Sequence, residues 1–168
     1  GTAHVVAAAT GAPRALPGHR VTVYRHALPG EYLYLPIGNT AGMSLKWFHR
    51  EFGRPAEDYA ALDALAASVP AGCEGVTFLP FLSGCVDPEC LPDATACLFG
   101  LRLSSTRAHA ARAVLESTGY ELRQFLSLLD SLGCKTDLVV SLGGGARSEL
   151  WMQIRADIAG LSLEAPAV

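Results

Sequence analysis

The chain has 168 residues, 50% of them hydrophobic and 17% charged, with a formal net charge of −3. That length supports one domain with a buried core, and the low charge content predicts that part of the surface is normally covered. A weakly acidic chain without a basic block argues against nucleic acid and anionic membrane as partners, and no apolar run reaches the roughly 18 residues of a membrane span.

Residues 3–9 read as a strand, followed by the turn-rich stretch Thr10–Gly18. Val21–Tyr24 and Tyr32–Leu35 alternate with the strand period around Pro29-Gly30, which predicts an antiparallel meander. Thr40–Phe52 is a predicted helix with Met43, Trp47 and Phe48 on one side and Gly53 at its end. Pro55 to about Ala67 is a second, opened by Pro55. Val76–Leu79 is a short strand. The proline- and glycine-punctuated segment that follows, to Ala96, is either a functional loop or a surface excursion.

Ser104 or Ser105 is the expected cap of the longest helix, which runs to Leu132 and stops at Gly133. Ala111, Val114, Leu115, Leu122, Phe125, Leu126 and Leu129 recur at three and four, so one face is buried. His109 reads as a capped or partly exposed histidine. Leu138–Leu142 then reads as a buried strand running into Gly143-Gly144-Gly145, with a helix over Glu149–Ile158 that ends at Gly160. Leu161–Ala165 is a final strand. Both ends read as cuts inside a domain, so a fragment of a larger protein is expected.

The glycine turn allows two readings. It is a site for a nucleotide or phosphate, where free N–H groups and a helix dipole face a ligand, or it is only a tight strand-to-helix turn. It is neither a P-loop, since Ala146-Arg147 follow the glycines, nor a Rossmann fingerprint, since the third spaced glycine is missing. Five cysteines occur, four of them between Cys73 and Cys97. Only Cys85 and Cys90 approach zinc-pair spacing, and an odd count without a secretory signal fits free thiols in a reducing cytoplasm. The elements together predict an α/β domain with a mixed β-sheet flanked by helices.

Several motifs resemble the FGGY carbohydrate kinases, and the xylulokinases among them most. Leu142–Ser148 with Trp151, Gln153, Ala156-Asp157-Ile158 and Gly160 resembles their adenine-side motif. Ala96–Leu101 with His109 and Ala113–Glu116 resembles the second family signature, with Ala110 where a larger aliphatic residue is usual. Phe78–Gly84 resembles the strand entering the sugar-kinase loop. Gly1-Thr2 resembles the Gly-Thr-Ser phosphate turn with Ala3 in place of serine, and Thr40-Ala41-Gly42 with Leu45-Lys46-Trp47 a further nucleotide-contacting helix start. The resemblance covers essentially the whole chain, in order.

It implies an actin-like, ribonuclease-H-like ATPase fold of two domains, with residues 1–168 as a partial C-terminal domain lacking the N-terminal sugar-binding domain and the final helices. It implies phosphoryl transfer from ATP, with Mg2+, to a sugar hydroxyl, a ketopentose in the xylulokinases. The nucleotide would contact Gly1, Thr2, Gly42, Lys46, Gly144, Gly145 and Ser148. The family's base aspartate lies outside this chain, so no catalytic residue and no protein metal ligand is assigned, and the isolated chain is expected to be inactive. Cys85-Val86-Asp87-Pro88 stands where Glu-Arg-Thr-Pro is usual, which leaves ribulose, fuculose, glycerol and erythritol as alternative substrates. A cytoplasmic enzyme, with a homodimer compatible, completes the expectation. The alternatives are a catalytically inactive nucleotide-binding or regulatory module and a zinc-stapled interaction domain.

Overall fold

A computed structural model describes residues 3–166. The first predicted strand is two short ones, β1 (His4–Val5) and β2 (Ala8–Thr10). Both pair antiparallel with one opposing stretch, β2 with β4 (Tyr32–Tyr34) and β1 with β5 (Ile37–Gly38), in a single continuous register. The ladder breaks between them because Pro36 accepts from Val6 N–H at 3.2 Å but has no N–H to return. β3 (Val23–Arg25) covers the other side of β4, so the expected meander forms in the order β2-β4-β3.

Helix α1 (Ala41–Phe52) follows the N-cap Thr40 and ends at Gly53. It buries Ala41, Ser44, Leu45 and Phe48, at helical spacing. Met43, expected on the buried side, is instead exposed. Trp47, one turn on, packs on Phe52 and Phe78. Helix α2 (Tyr59–Ala67) begins later than Pro55, because Asp58 caps it, its carboxylate accepting from Ala61 N–H at 2.8 Å. Ala56, at φ 60°, keeps the preceding turn out of the helix.

Strands β6 (Thr77–Leu79) and β7 (Cys97–Phe99) form an antiparallel pair. The irregular segment between them is ordered by backbone bonds between Cys85 and Leu91. The buried Asp87 carboxylate accepts from Ile37 N–H at 2.9 Å and so ties this segment to β5.

Helix α3 (Arg107–Ser131) is capped by Thr106 rather than Ser104 or Ser105. The Thr106 N–H donates to His109 Nδ1 at 3.1 Å, while Ser105 Oγ is used in the preceding turn by Arg102 N–H. At 25 residues α3 spans roughly 37 Å and serves two cores. Its first half packs with Leu45, Phe48, Leu62, Phe78, Trp151 and Ile154. Its last turns, Leu128, Leu129 and Leu132, pack with Tyr34 of the N-terminal sheet. Residues 113–119 are buried on every side, where a single buried face was expected. The buried Glu116 there is satisfied by Gly72 N–H, Arg112 Nε and Tyr120 O–H, as burial of a carboxylate requires.

Strand β8 (Leu138–Val140) pairs in parallel with β9 (Ser162–Glu164) through helix α4 (Glu149–Ala159), which ends at Gly160 with φ 71°. Among the described residues, parallel and antiparallel pairing are thus divided over four small sheets; α3 packs against β6 and the N-terminal sheet, and α4 against β9.

Candidate functional site

A cleft of about 1070 Å³ lies between β1–β2, β8, α1, α3 and the start of α4. Gly42, Gly144, Gly145 and Ser148, all expected at a ligand site, line it. Lys46 does not: it projects from the exposed side of α1. Gly1 and Thr2 lie outside the described residues, and their neighbour Ala3 is at the cleft.

The glycine turn is built from the end of β8 upward. Ser141 N–H donates to Glu164 O at 2.7 Å, which extends the parallel pairing to the mouth of the turn. Gly143 then adopts φ 88°, ψ −167°, a conformation open only to glycine. Gly144–Arg147 form one 3-10 turn, and Ser148 caps α4 by accepting from Trp151 N–H at 3.0 Å.

The three glycines have different jobs. A Cβ at Gly145 would meet Arg155 Nη2 at 2.6 Å and the Trp151 ring at 3.2 Å, so this residue is fixed from behind. A Cβ at Gly144 would meet nothing within 4 Å. Gly144 therefore offers bare backbone to the cleft, and Gly145 lets that backbone sit down on the helix. Ser148 Oγ is engaged as an acceptor, which leaves its O–H free to donate.

Behind the turn, the Arg155 guanidinium lies over the Trp151 ring at 4.7 Å and donates to Ser141 Oγ at 3.4 Å. Burial lowers its pKa to about 10, so it stays cationic near neutrality. Its Nε and Nη2 have no hydrogen-bond partner. The Trp151 indole N–H donates to Thr118 Oγ1 of α3 at 2.7 Å. Trp151, Arg155 and Thr118 are site residues that the motifs did not single out for a role. The four-residue spacing of Trp151 and Arg155, which places both on one helix face below the glycines, is the signal that could have found them.

On the opposite wall, α1 opens into the cleft at Ala41 and Gly42. Thr40 leaves that helix start without a side-chain cap, because its hydroxyl donates to Pro80 O instead, and no acidic residue lies in the first turn. The first N–H groups of α1 are thus available to an anionic ligand. Asp63 of α2 is the one carboxylate lining the cleft among the described residues. None of residues 80–96 lines it.

Among the described residues no three of His, Cys, Asp or Glu gather to hold a metal. The five cysteines are free, Cys73 and Cys85 buried and Cys97 exposed. No helix among the described residues is long and apolar enough to cross a membrane.

The architecture matches solved sugar kinases. The structure of xylulose kinase from Rhodospirillum rubrum superposes with a TM-score of 0.86 at 33% identity, over 99% of this chain and 34% of that one. That of xylulose kinase from Bifidobacterium adolescentis does so with a TM-score of 0.86 at 30% identity, over 100% and 32%. These matches define the fold as the actin-like, ribonuclease-H-like ATPase type. The sequence is 36% identical over 148 residues to the xylulose kinase of Escherichia coli (strain K12), covering 88% of this chain and 30% of that protein. The profile of the FGGY family of carbohydrate kinases, C-terminal domain, matches residues 1–168. The chain belongs to that family. It spans about a third of the length of these relatives.

Proposed function

We propose that the chain is the nucleotide-binding part of an ATP-dependent sugar kinase of the xylulokinase type, residues 1–168 being most of its C-terminal domain. The observation that carries this reading is the unobstructed backbone of Gly144 at the end of β8, facing the cleft and backed through Gly145 by Trp151 and Arg155. Ligands of open α/β sheets sit beyond the carboxyl ends of strands.

In this reading a flat adenine base or its ribose lies along Gly144 and Gly145, and the Ser148 O–H donates to the base. Gly42 and the uncapped start of α1 supply N–H donors to the anionic part of the nucleotide. Thr2 would add a hydroxyl to a phosphate oxygen. Magnesium would travel on the phosphates, where it neutralises charge during transfer.

The residues of this chain bind and orient. The group that accepts the sugar hydroxyl proton and most of the sugar site belong to the remainder of a longer protein. The substrate we favour is a ketopentose, on the strength of the xylulose kinase relatives. Ala3 at the cleft, with no hydroxyl to offer a phosphate, favours the second reading, a nucleotide-binding module that has lost catalysis.

A coupled assay of ADP release by the longer protein, with xylulose, ribulose and glycerol offered separately, tests the proposal. We expect turnover that depends on xylulose. Nucleotide binding without turnover on any of the three would select the inactive module. The 168-residue chain alone is expected to show no sugar-dependent turnover.

A further inference from the structure

The wall of the cleft formed by α2 carries two side chains that the nucleotide reading leaves unused. Helix α2 turns Leu62 and Ala66 into the core and presents Tyr59, Ala60 and Asp63 to the cleft. Tyr59 and Asp63 are four residues apart, so they stand one above the other on a single helix face. The Tyr59 ring stacks on His49 of α1 with centroids 4.9 Å apart. It remains 49% exposed, so His49 fixes the ring and leaves half of it free. Asp63 is half-buried. Among the described residues its carboxylate has no ion pair and no hydrogen-bond partner.

This pair belongs to the glycine-turn end of the cleft. Helix α2 packs against α4, and Leu62 shares its core with Trp151, the ring that backs Gly145. Charge then orders a ligand along the cleft. The uncapped start of α1, at Ala41 and Gly42, attracts an anion. The Asp63 carboxylate repels one. A nucleotide is anionic at one end only, so its phosphates go to the start of α1 and its base goes to α2.

An ionised carboxylate only accepts hydrogen bonds, so its partner on the ligand must be a donor. Adenine supplies one in its 6-amino group. Hypoxanthine carries a carbonyl at the same position, a second acceptor that leaves both groups unpaired. The ribose hydroxyls are donors too, but the free side of Tyr59, one turn before the carboxylate, suits a flat base and not a sugar.

We propose that Asp63 reads the base. It accepts a hydrogen bond from the 6-amino group of adenine while Tyr59 stacks on the ring, and so selects adenine nucleotides over 6-oxopurine nucleotides. The inference rests on the nucleotide reading of the cleft and adds to it the residue that chooses the base.

Calorimetric titration of the 168-residue chain with Mg-ADP, Mg-IDP and Mg-2′-deoxy-ADP tests this, on the wild type and on Asp63→Asn. IDP carries a carbonyl where ADP has the amino group. The wild type should bind ADP at least about tenfold more tightly than IDP. Asparagine has the shape of aspartate and an amide that donates to a carbonyl, so the variant should gain IDP, lose ADP and bring the two within about threefold. Equal binding of ADP and IDP by the wild type would overturn the assignment and leave the nucleotide site standing. So would a preference for ADP that survives Asp63→Asn. A weakened binding of 2′-deoxy-ADP that Asp63→Asn abolishes would overturn it as well, by placing the carboxylate on the ribose. No binding of any of the three by the folded chain would remove the nucleotide reading together with this one.

Discussion

The indole N–H of Trp151 donates to Thr118 Oγ1 at 2.7 Å in a contact buried on both sides. It pins α4, which follows directly on the cleft-facing glycine turn, to the central helix α3. Thr118→Val keeps the volume but removes the acceptor and leaves the indole N–H unpaired, at a cost of about 1–3 kcal/mol. Urea denaturation should register that loss. Because the Trp151 ring also backs Gly145, the variant should bind nucleotide more weakly even where it remains folded.

Glu57 and Arg107 tie the turn before α2 to the start of α3 through two short bonds, 2.6 and 2.8 Å. The hydrogen bonds from Arg107 lower the Glu57 pKa from its ordinary 4.5 to about 2. A carboxyl depressed in the folded state stabilises fully above its unfolded pKa and loses that contribution as pH falls through the folded value. The contribution is therefore whole above pH 4.5 and lost by about pH 2. Melting temperatures of the wild type and Glu57→Gln should differ at pH 7 and converge in that window. A constant difference across it would contradict the assignment.

Cys73 is fully buried, and burial reinforced by the neighbouring Glu116 pushes its thiol pKa up to about 12. Cys97 is exposed on β7. Since the thiolate is the reactive species, iodoacetamide at pH 8 should label Cys97 in the native protein and Cys73 only after unfolding. Peptide mass spectrometry reads both sites in one digest.

Gly119 sits where α3 and α4 cross, and a Cβ there would meet Ile158 Cδ1 at 2.6 Å and Cβ at 3.2 Å. The δ-methyl can rotate away, but the β-branched carbon cannot move without the helix. Gly119→Ala should therefore lower the melting temperature despite alanine's better helix propensity, whose gain is only about 1 kcal/mol. An unchanged or raised value would show that the helices part easily.

Much of this was legible in the sequence, because the strongest signals are local. The Gly53, Gly133 and Gly160 stops and the order strand, glycine turn, helix describe chain neighbours and appear as read. But β8 is only Leu138–Val140 and is exposed at Leu138 and Val140, where a buried strand over Leu138–Leu142 was expected. Likewise α3 is buried on more than the one expected face. The errors fall where one particular side-chain partner decides. Thr106 displaces Ser105 as a cap because His109 supplies an acceptor, and Met43 is exposed although Trp47 beside it packs on Phe78. Lys46 had a motif position but no geometry, whereas Arg155 had geometry hidden inside an ordinary amphipathic helix. The division into four small sheets was not legible, since pairings such as His4 with Gly38 and Leu138 with Ser162 are set by the intervening chain and leave no local trace.

The central claim is that a nucleotide lies on the open face of the glycine turn, and Gly144 is the residue that tests it most directly. Gly145→Val would drive into Arg155 and Trp151 and confuse folding with binding, whereas a side chain at position 144 enters open space. Calorimetric titration of Mg-ADP into the wild-type chain and into Gly144→Val, with matched melting temperatures, is the measurement. The account predicts binding by the wild type and at least about tenfold weaker binding by the variant, a loss of about 1.4 kcal/mol or more. Equal affinity in the two folded proteins would contradict it.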